Sequence, residues 1–492
     1  MATTADYLNK LVTQKNTLAD NLVTKGVTAT HDETLETLIP KVLEISGGGG
    51  GNGIYPIGEN GRPTGDVIVP SGVITLDKYV FSYNSNVTSI TFSEGLVSTG
   101  TEACGSDSNL ESVSLPSTFK TFGQKTFESC GNLTTVNIPD EVTGLVIGSR
   151  CFWNCNLSDE SANKLISKSS TIQDYGFYGC KNIKSIEIVA TNFGNYCFDS
   201  CKGLTTAKLV NTDDYGSFGS GMFSNCTALE TVIMPPSYIK ISDSMFRNTK
   251  ISAFAIPNTL TQIGQSAFEQ CSSLSTVTIA DEATFSIGNY AFDECLALTN
   301  ESVQNIISHA STLGDNIFSY CLELTNLSIK FAGAGMFLYC TNLVSVEISE
   351  PYKDKIQNSI FTGCTSLERC VLPNNAITIG INVFYKCTAL KTVYLPSSIT
   401  SATNNSLSHS SSYYIFKNCT ALEDVQLGQD WNMSLSVNSS ENLTVDSMIA
   451  MFNSLKDLTG DTAKTLTLGS VNLAKLTDEQ KTIATNKNWT LA

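Results

Sequence analysis

Apolar positions recur along this chain in the order F-x-x-C-x-x-L-x-x-V-x-I, with polar residues filling the gaps. The clearest copies begin at Phe127, Phe177, Phe198, Phe223, Phe268, Phe318, Phe337, Phe361, Phe384 and Phe416. The piece L-x-x-V-x-I ends in a period-2 alternation one strand long. It predicts a short strand whose Val and Ile point inward while the residue between them points out. A turn follows, often opened by proline, as at Pro116, Pro139, Pro257, Pro373 and Pro396. A second extended piece comes next, such as Thr261 to Gly264, and then a tight helical turn carrying Phe and Cys.

A fixed register recovers degenerate copies. Phe81 is followed by Asn84 at the Cys position, and in the next copy Cys104 replaces Phe and Asp107 replaces Cys. The Phe246 copy has Thr249 at the Cys position and is one residue short before Ile251. The copies at Phe152 and Phe292 keep Phe and Cys and then turn helical. Fifteen copies run from Phe81 to Phe416, a period of about 24 residues that falls in the leucine-rich-repeat range. One coil cannot bury its own apolar edge, so neighbours stack and the Phe, Cys, Leu, Val and Ile files become ladders of core. The expected fold is a β-rich α/β repeat solenoid.

In the two helical copies, residues 160–169 (ESANKLISKS) align with residues 301–310 (ESVQNIISHA). Asp159 and Asn300 are the candidate N-caps, and His309 reads as a surface residue.

The ends differ from the array. Residues 4–25 place Leu8, Leu11, Val12, Leu18, Ala19, Leu22 and Val23 at helical spacing, with Gly26 positioned to stop the helix. A second helical stretch runs through Leu35, Leu38, Ile39, Val42 and Leu43, interrupted near Pro40. Five glycines at 47–51 read as a hinge. The expected organisation is a helical module at 1–46, a linker at 47–53, the solenoid at 54–430 and an α/β cap at 431–492. The N-terminal helices read either as a capping hairpin or as a module that oligomerises or docks through its apolar stripe, and the hinge favours the second. In the C-terminal piece, Met448 to Leu455 form a helix, Leu466 and Leu468 a strand, Leu473 to Ala484 a second helix, and Trp489 to Leu491 a last strand.

Composition narrows the function. The chain carries 30 basic and 46 acidic side chains, a net charge of -16, with only 15% charged residues. No clustered basic face exists for nucleic acid. No apolar run is long enough to span a membrane, and the start lacks the pattern of a standard secretory signal. Twelve of the sixteen cysteines occupy the repeat position, no C-x-x-C pair is present, and only His31, His309 and His409 occur. Zinc is therefore not expected, nor is any other cofactor, and the cysteines read as buried structural thiols. No nucleophile and base pattern and no phosphate loop is present, so catalysis is not expected.

The outward strand surface is the best candidate for binding. The residue just before the inner Val is Ser or Thr in nine of thirteen strands: Ser89, Ser112, Thr135, Ser185, Thr206, Thr231, Thr276, Ser345 and Thr392. Cross-strand packing accounts for that file. The next outward file varies: Asn137, Glu187, Lys208, Thr278, Ser328, Glu347, Tyr394 and Gln426. Variety at a fixed geometric position is what a recognition surface permits. Tyr413 and Tyr414, on a Ser-rich insertion at 401–416, read either as candidates for stacking on sugars or as part of a polar loop that covers the solenoid.

The segments LTQIGQSAFEQCSSLSTVTI (260–279) and AITIGINVFYKCTALKTVYLP (376–396) resemble the BspA-like class of leucine-rich repeats. That resemblance covers roughly residues 67–430. It implies a curved right-handed solenoid that binds proteins or cell surfaces and has no enzymatic activity. Residues 6–45 resemble N-terminal segments of phage tail-fibre and minor structural proteins, and residues 443–492 resemble an ending found on phage-encoded and gut-bacterial repeat proteins. Together these imply a virion protein, made in the bacterial host cytoplasm and released by lysis, of the tail fibre or baseplate. Residues 1–46 would contact other virion proteins and the solenoid a host cell-surface protein or glycan. A head fibre, a bacterial adhesin and an interaction scaffold are the alternatives. Phage fibres are often trimers, so a homo-oligomer is expected, although the N-terminal helices carry no long heptad repeat.

Overall fold

The computed structural model describes residues 12–21, 29–32, 34, 63–189, 192–210, 218–236, 238–350, 353–405, 407 and 415–492. The chain divides into two compact units, Met1–Met234 and Pro235–Ala492. In both, one repeat makes one coil of a parallel-stranded solenoid.

In the first unit, strands Gly65–Val69, Val87–Phe92, Ser112–Ser114 and Thr135–Asn137 form one parallel sheet, and Ser185–Ile188, Thr206–Leu209 and Thr231–Ile233 form another. The second extended piece of each coil builds a six-stranded sheet from Thr75–Leu76 to Asn192–Phe193. In the second unit, Ala253–Ile256 pairs with Thr276–Ile279, and five strands stand side by side: Asn326–Ile329, Ser345–Ile348, Arg369–Val371, Thr392–Leu395 and Asp424–Leu427. The inner positions are core, as at Val113, Ile186, Val346 and Val393. The Phe file stacks ring on ring, with centroids 5.3 Å apart for Phe177 and Phe198 in the first unit and 5.2 Å for Phe268 and Phe292 in the second.

The corner carrying Phe and Cys is a turn without helix, which corrects the expected helical turn. Among the described residues, those two before and two after each Phe of the repeat have positive φ, as with Lys125 (58°) and Ser129 (63°) around Phe127. This alternation lays every second peptide along the stack. The N–H groups of Lys125, Phe127 and Ser129 donate to the carbonyls of Ser149, Cys151 and Trp153 in the next coil. A helical turn would close its hydrogen bonds internally and leave the coil-to-coil groups buried without partners.

The repeat cysteines have a further role at this corner. Cys155 Sγ donates to the Phe127 carbonyl at 3.1 Å, Cys226 to Phe198 at 3.0 Å and Cys364 to Phe337 at 3.0 Å, each one coil back. All sixteen cysteines are free and buried. The thiol is a small apolar group with one weak donor, which is what a carbonyl at the edge of the core requires.

Helices α1 (Asp159–Lys168) and α2 (Asn300–His309) stand where strands would be. Their N-caps are Ser158 and Thr299, whose hydroxyls accept from the N–H groups of Ser161 and Ser302. Asp159 and Asn300, the expected caps, are engaged by the next coil: the N–H of Lys184 donates to Asp159 at 2.6 Å and that of Thr325 to Asn300 at 3.0 Å. Helix α3 (Val445–Ser454) repeats the device, with Thr444 as cap to Ser447. In all three the buried Ser hydroxyl accepts the N–H of the preceding strand: Val136 to Ser161 at 3.0 Å, Val277 to Ser302 at 3.0 Å and Val425 to Ser447 at 2.9 Å. A serine thus closes a sheet edge that a missing strand would leave open.

The C-terminal piece continues with strands Leu435–Ser436, Lys464–Thr467 and Trp489–Leu491 in one sheet. The single helix expected across Leu473 to Ala484 is two, α4 (Ser470–Leu473) and α5 (Asp478–Thr485), because Thr477 and Gln480 form a capping box that starts a new helix. Leu468 lies just past its strand and is buried.

Of the expected N-terminal module, residues 12–21 are helical. Val12 is exposed and Leu18 half-buried, while His31 Nε2 lies 2.7 Å from Asp20 Oδ1. Leu8, Leu11, Leu22, Leu35, Leu38 and Ile39 lie outside the described residues.

Candidate functional site

The outward strand face has two files with different environments. In the Ser/Thr file, Ser89, Ser112 and Thr135 are in register on neighbouring strands and half-buried against one another. The second file is open: Asn137, Glu187, Lys208, Thr278, Ser328, Glu347 and Gln426 are exposed and Tyr394 is half-buried.

The fold does not bring these eight residues into one site. Asn137 donates to Ser114 at 3.1 Å, and Lys208 pairs with Glu187 at 2.9 Å, so the polar groups of the first unit's file largely satisfy one another. Thr278 stands beside Ala255 on the two-stranded sheet. Ser328, Glu347, Tyr394 and Gln426 share the five-stranded sheet, with Val371 completing the register between Glu347 and Tyr394. Arg369 and Asp424 stand in the adjacent file. Arg369 and Val371 were legible as outward residues once Leu367, Cys370 and Leu372 are read as the inward positions.

Helices bound this sheet on both sides. Gln304 of α2 donates to the Ser328 carbonyl at 3.0 Å, and Ser447 of α3 accepts from Val425. Helices α2 and α3 thus flank the five strands, one at each edge of the sheet. The face between them is a floor about four strand spacings wide, ~19 Å. Tyr413 and Tyr414 lie outside the described residues.

Other chemistry is engaged in holding the coils together. A cleft of about 320 Å³ lies against Gln173, Asp174 and Asn192 in the first unit. There Gln173 accepts from the Ser149 N–H at 3.1 Å and Asp174 from the Asn195 N–H at 2.7 Å. Trp153 is stacked between the Arg150 guanidinium, 4.0 Å from its centroid, and the Tyr178 ring at 3.8 Å. Burial pushes the carboxyls of Asp107 and Asp293 up to about 7, and Asp107, in a Cys position, belongs to the core. Burial likewise pushes the Cys201 thiol up to about 12. Among the described residues no three His, Cys, Asp or Glu side chains are grouped to hold a metal ion, and no helix is long and apolar enough to cross a membrane.

A family model described as "BspA type Leucine rich repeat region (6 copies)" matches residues 61–168, 146–275, 239–353, 285–413 and 332–457. Among solved structures, a leucine-rich repeat protein from Bacteroides ovatus is 20% identical over 76% of this chain and 92% of its own, with a TM-score of 0.52. A leucine rich cell surface protein from Faecalibacterium prausnitzii is 19% identical over 76% and 92%, with a TM-score of 0.35. A leucine-rich repeat protein from Eubacterium ventriosum is 17% identical over 73% and 89%, with a TM-score of 0.41. The first likeness is one of fold alone, and the other two superpose too loosely to carry weight. No curated protein matches this chain.

Proposed function

Because this chain belongs to the BspA-type leucine-rich repeat family, we propose that it is a binding protein whose solenoid engages a bacterial cell surface. The observation that carries this reading is the open file of varied side chains on a sheet floor bounded by α2 and α3, in a chain whose cleft residues Gln173 and Asp174 are engaged by neighbouring coils. Strands fix the spacing of the outward residues, so side chains can change without disturbing the coil. Family members are binding scaffolds, and we assign this chain no catalytic step.

For the setting, our first reading is a phage virion protein of the tail fibre or baseplate, supported by the resemblance of residues 6–45 to phage fibre segments. Many copies on one particle would convert weak single-site contacts into firm attachment. The second reading is a surface adhesin or interaction scaffold of the bacterium itself. One observation favours it: the C-terminal stretch at 443–492 opens with α3, which shares the cap and buried serine of α1 and α2, so that stretch is accounted for within the solenoid. Mass spectrometry of density-gradient-purified particles from the source culture separates the two. Fixed stoichiometry with capsid and tail proteins is the outcome expected of a virion protein; recovery from cell envelopes alone would make it an adhesin.

A further inference from the structure

The exposed polar groups of the two units are not equivalent. In the first unit Glu187 and Lys208 form an ion pair, and Asn137 bonds Ser114. On the five-stranded sheet of the second unit, the Arg369 guanidinium, the Glu347 carboxylate and the Tyr394 hydroxyl make no hydrogen bond or ion pair with the described residues. These groups surround an apolar strip. Val371 and Tyr394 are in register on neighbouring strands, both half-buried, with Glu347 beyond one and Gln426 beyond the other. Arg369 precedes Val371 by two residues on the same face of its strand, and Gln426 is oriented by a 2.7 Å bond to Asp424.

Three kinds of partner can be weighed against this surface. An extended peptide that adds a strand needs an open sheet edge, and both edges here meet helices, through Gln304 to Ser328 and Val425 to Ser447. A folded protein partner needs apolar anchors seated in pockets, whereas this floor offers one shallow strip. A polyanion needs clustered positive charge; the floor carries Arg369 against Glu347 and Asp424, on a chain of net charge -16. What remains suits an uncharged polyhydroxylated ligand. The C–H face of a sugar ring lies on an aromatic ring, and its hydroxyls take hydrogen bonds from fixed donors and acceptors.

We propose that the five-stranded floor between α2 and α3 binds a neutral glycan, with Tyr394 and Val371 as the platform and Arg369, Glu347 and Gln426 reading hydroxyls. The file from Glu347 to Gln426 spans three strand spacings, ~14 Å, so two to three consecutive sugar rings are covered and oligosaccharides bind better than monosaccharides. This rests on the reading of the solenoid as a cell-surface binding module.

The test is titration calorimetry of the full chain with neutral hexose and N-acetylhexosamine tetrasaccharides and their monosaccharides, with heparin as the anionic control, beside binding of the same protein to intact bacterial cells. A neutral tetrasaccharide binds more tightly than its monosaccharide and heparin does not bind. Tyr394→Ala and Arg369→Ala each weaken the tetrasaccharide about tenfold, ~1.4 kcal/mol, while Tyr394→Phe keeps most of the affinity and Lys164→Ala, on α1 of the first unit, leaves it unchanged. Thermal unfolding of Tyr394→Ala, Arg369→Ala and Tyr394→Phe checks that the fold is retained. Cell binding without binding of any neutral tetrasaccharide, or tetrasaccharide binding that survives both alanine substitutions, overturns the proposal and leaves the surface-binding reading standing. Loss of both overturns both.

Discussion

The Asn163 side chain of α1 does the work of a strand peptide for Glu187. Its Oδ1 accepts the Glu187 N–H at 2.8 Å, and its Nδ2 donates to the Ser185 carbonyl at 2.9 Å. A helix can therefore occupy a strand's place without orphaning the strand beyond it. Gln304 of α2 stands at the same position and donates to Ser328. In α3 the position is Ile449, and the next element to pack against that helix is α5 in place of a strand. The amide marks a helical coil after which strands resume, and the apolar residue marks the last one.

Replacing Asn163 with Leu leaves a donor and an acceptor of the strand Ser185–Ile188 unpaired. The expected cost is about 1–3 kcal/mol, read as a lower midpoint in urea unfolding. Lys164→Ala, on the same helix, removes an exposed pair with Asp140 and should cost less than about 1 kcal/mol.

Sixteen buried thiols raised by burial should be chemically silent in the folded chain. Iodoacetamide at pH 8 is expected to modify essentially none of them within an hour, and all of them in guanidinium, as counted by intact mass. Cys155→Ser, which keeps a donor to the Phe127 carbonyl, should be tolerated better than Cys155→Val, which removes it.

Asp107 sits fully buried, and burial raises its pKa to about 7, outweighing the backbone N–H of Asn109, which acts to lower it. A raised acid is no burden while both states are protonated. Its penalty grows as pH rises from the ordinary carboxylate range to about 7, because only the unfolded chain ionises readily there. Asp107→Asn should therefore raise the melting temperature at pH 7.5, with the gain shrinking towards pH 4. A gain that grew as pH fell would contradict the assignment.

Positive φ at the corners predicts opposite outcomes for glycine. Ser129, at φ 63° and exposed, should gain about 0.5–1 kcal/mol as Ser129→Gly, since the left-handed region strains a Cβ. Gly221, at φ 65°, packs so close to the Tyr196 ring that an added Cβ would lie 2.2 Å from it. Gly221→Ala should be destabilised by more than about 1 kcal/mol. Chemical denaturation of the two variants checks both signs.

The repeat was legible because each coil states its core five times over, in Phe, Cys, Leu, Val and Ile, and the helical coils showed in the break of the period-2 pattern. The helix caps were displaced by one residue because Ser158 and Asp159 are both good caps, and only the neighbouring coil decides between them. The Phe and Cys corner was misread as helical because its left-handed residues are mostly Tyr, Ser and Asn, with glycine among the described ones only at Gly179, Gly221, Gly335 and Gly363, which hides the signal. Variation along the outward file was visible, but its division into a half whose members pair across strands and a half whose members do not depends on which side chains meet across strands.

Flow cytometry of the fluorescently labelled full-length protein on intact bacterial cells, with and without excess unlabelled protein, bears on the binding role most directly. Saturable, competable binding to cells of at least one strain, lost in the combined Glu347→Ala, Arg369→Ala and Tyr394→Ala variant, is the expected result. Signal that neither saturates nor competes on any strain tested, or that is unchanged in the triple variant, would contradict the assignment of this face.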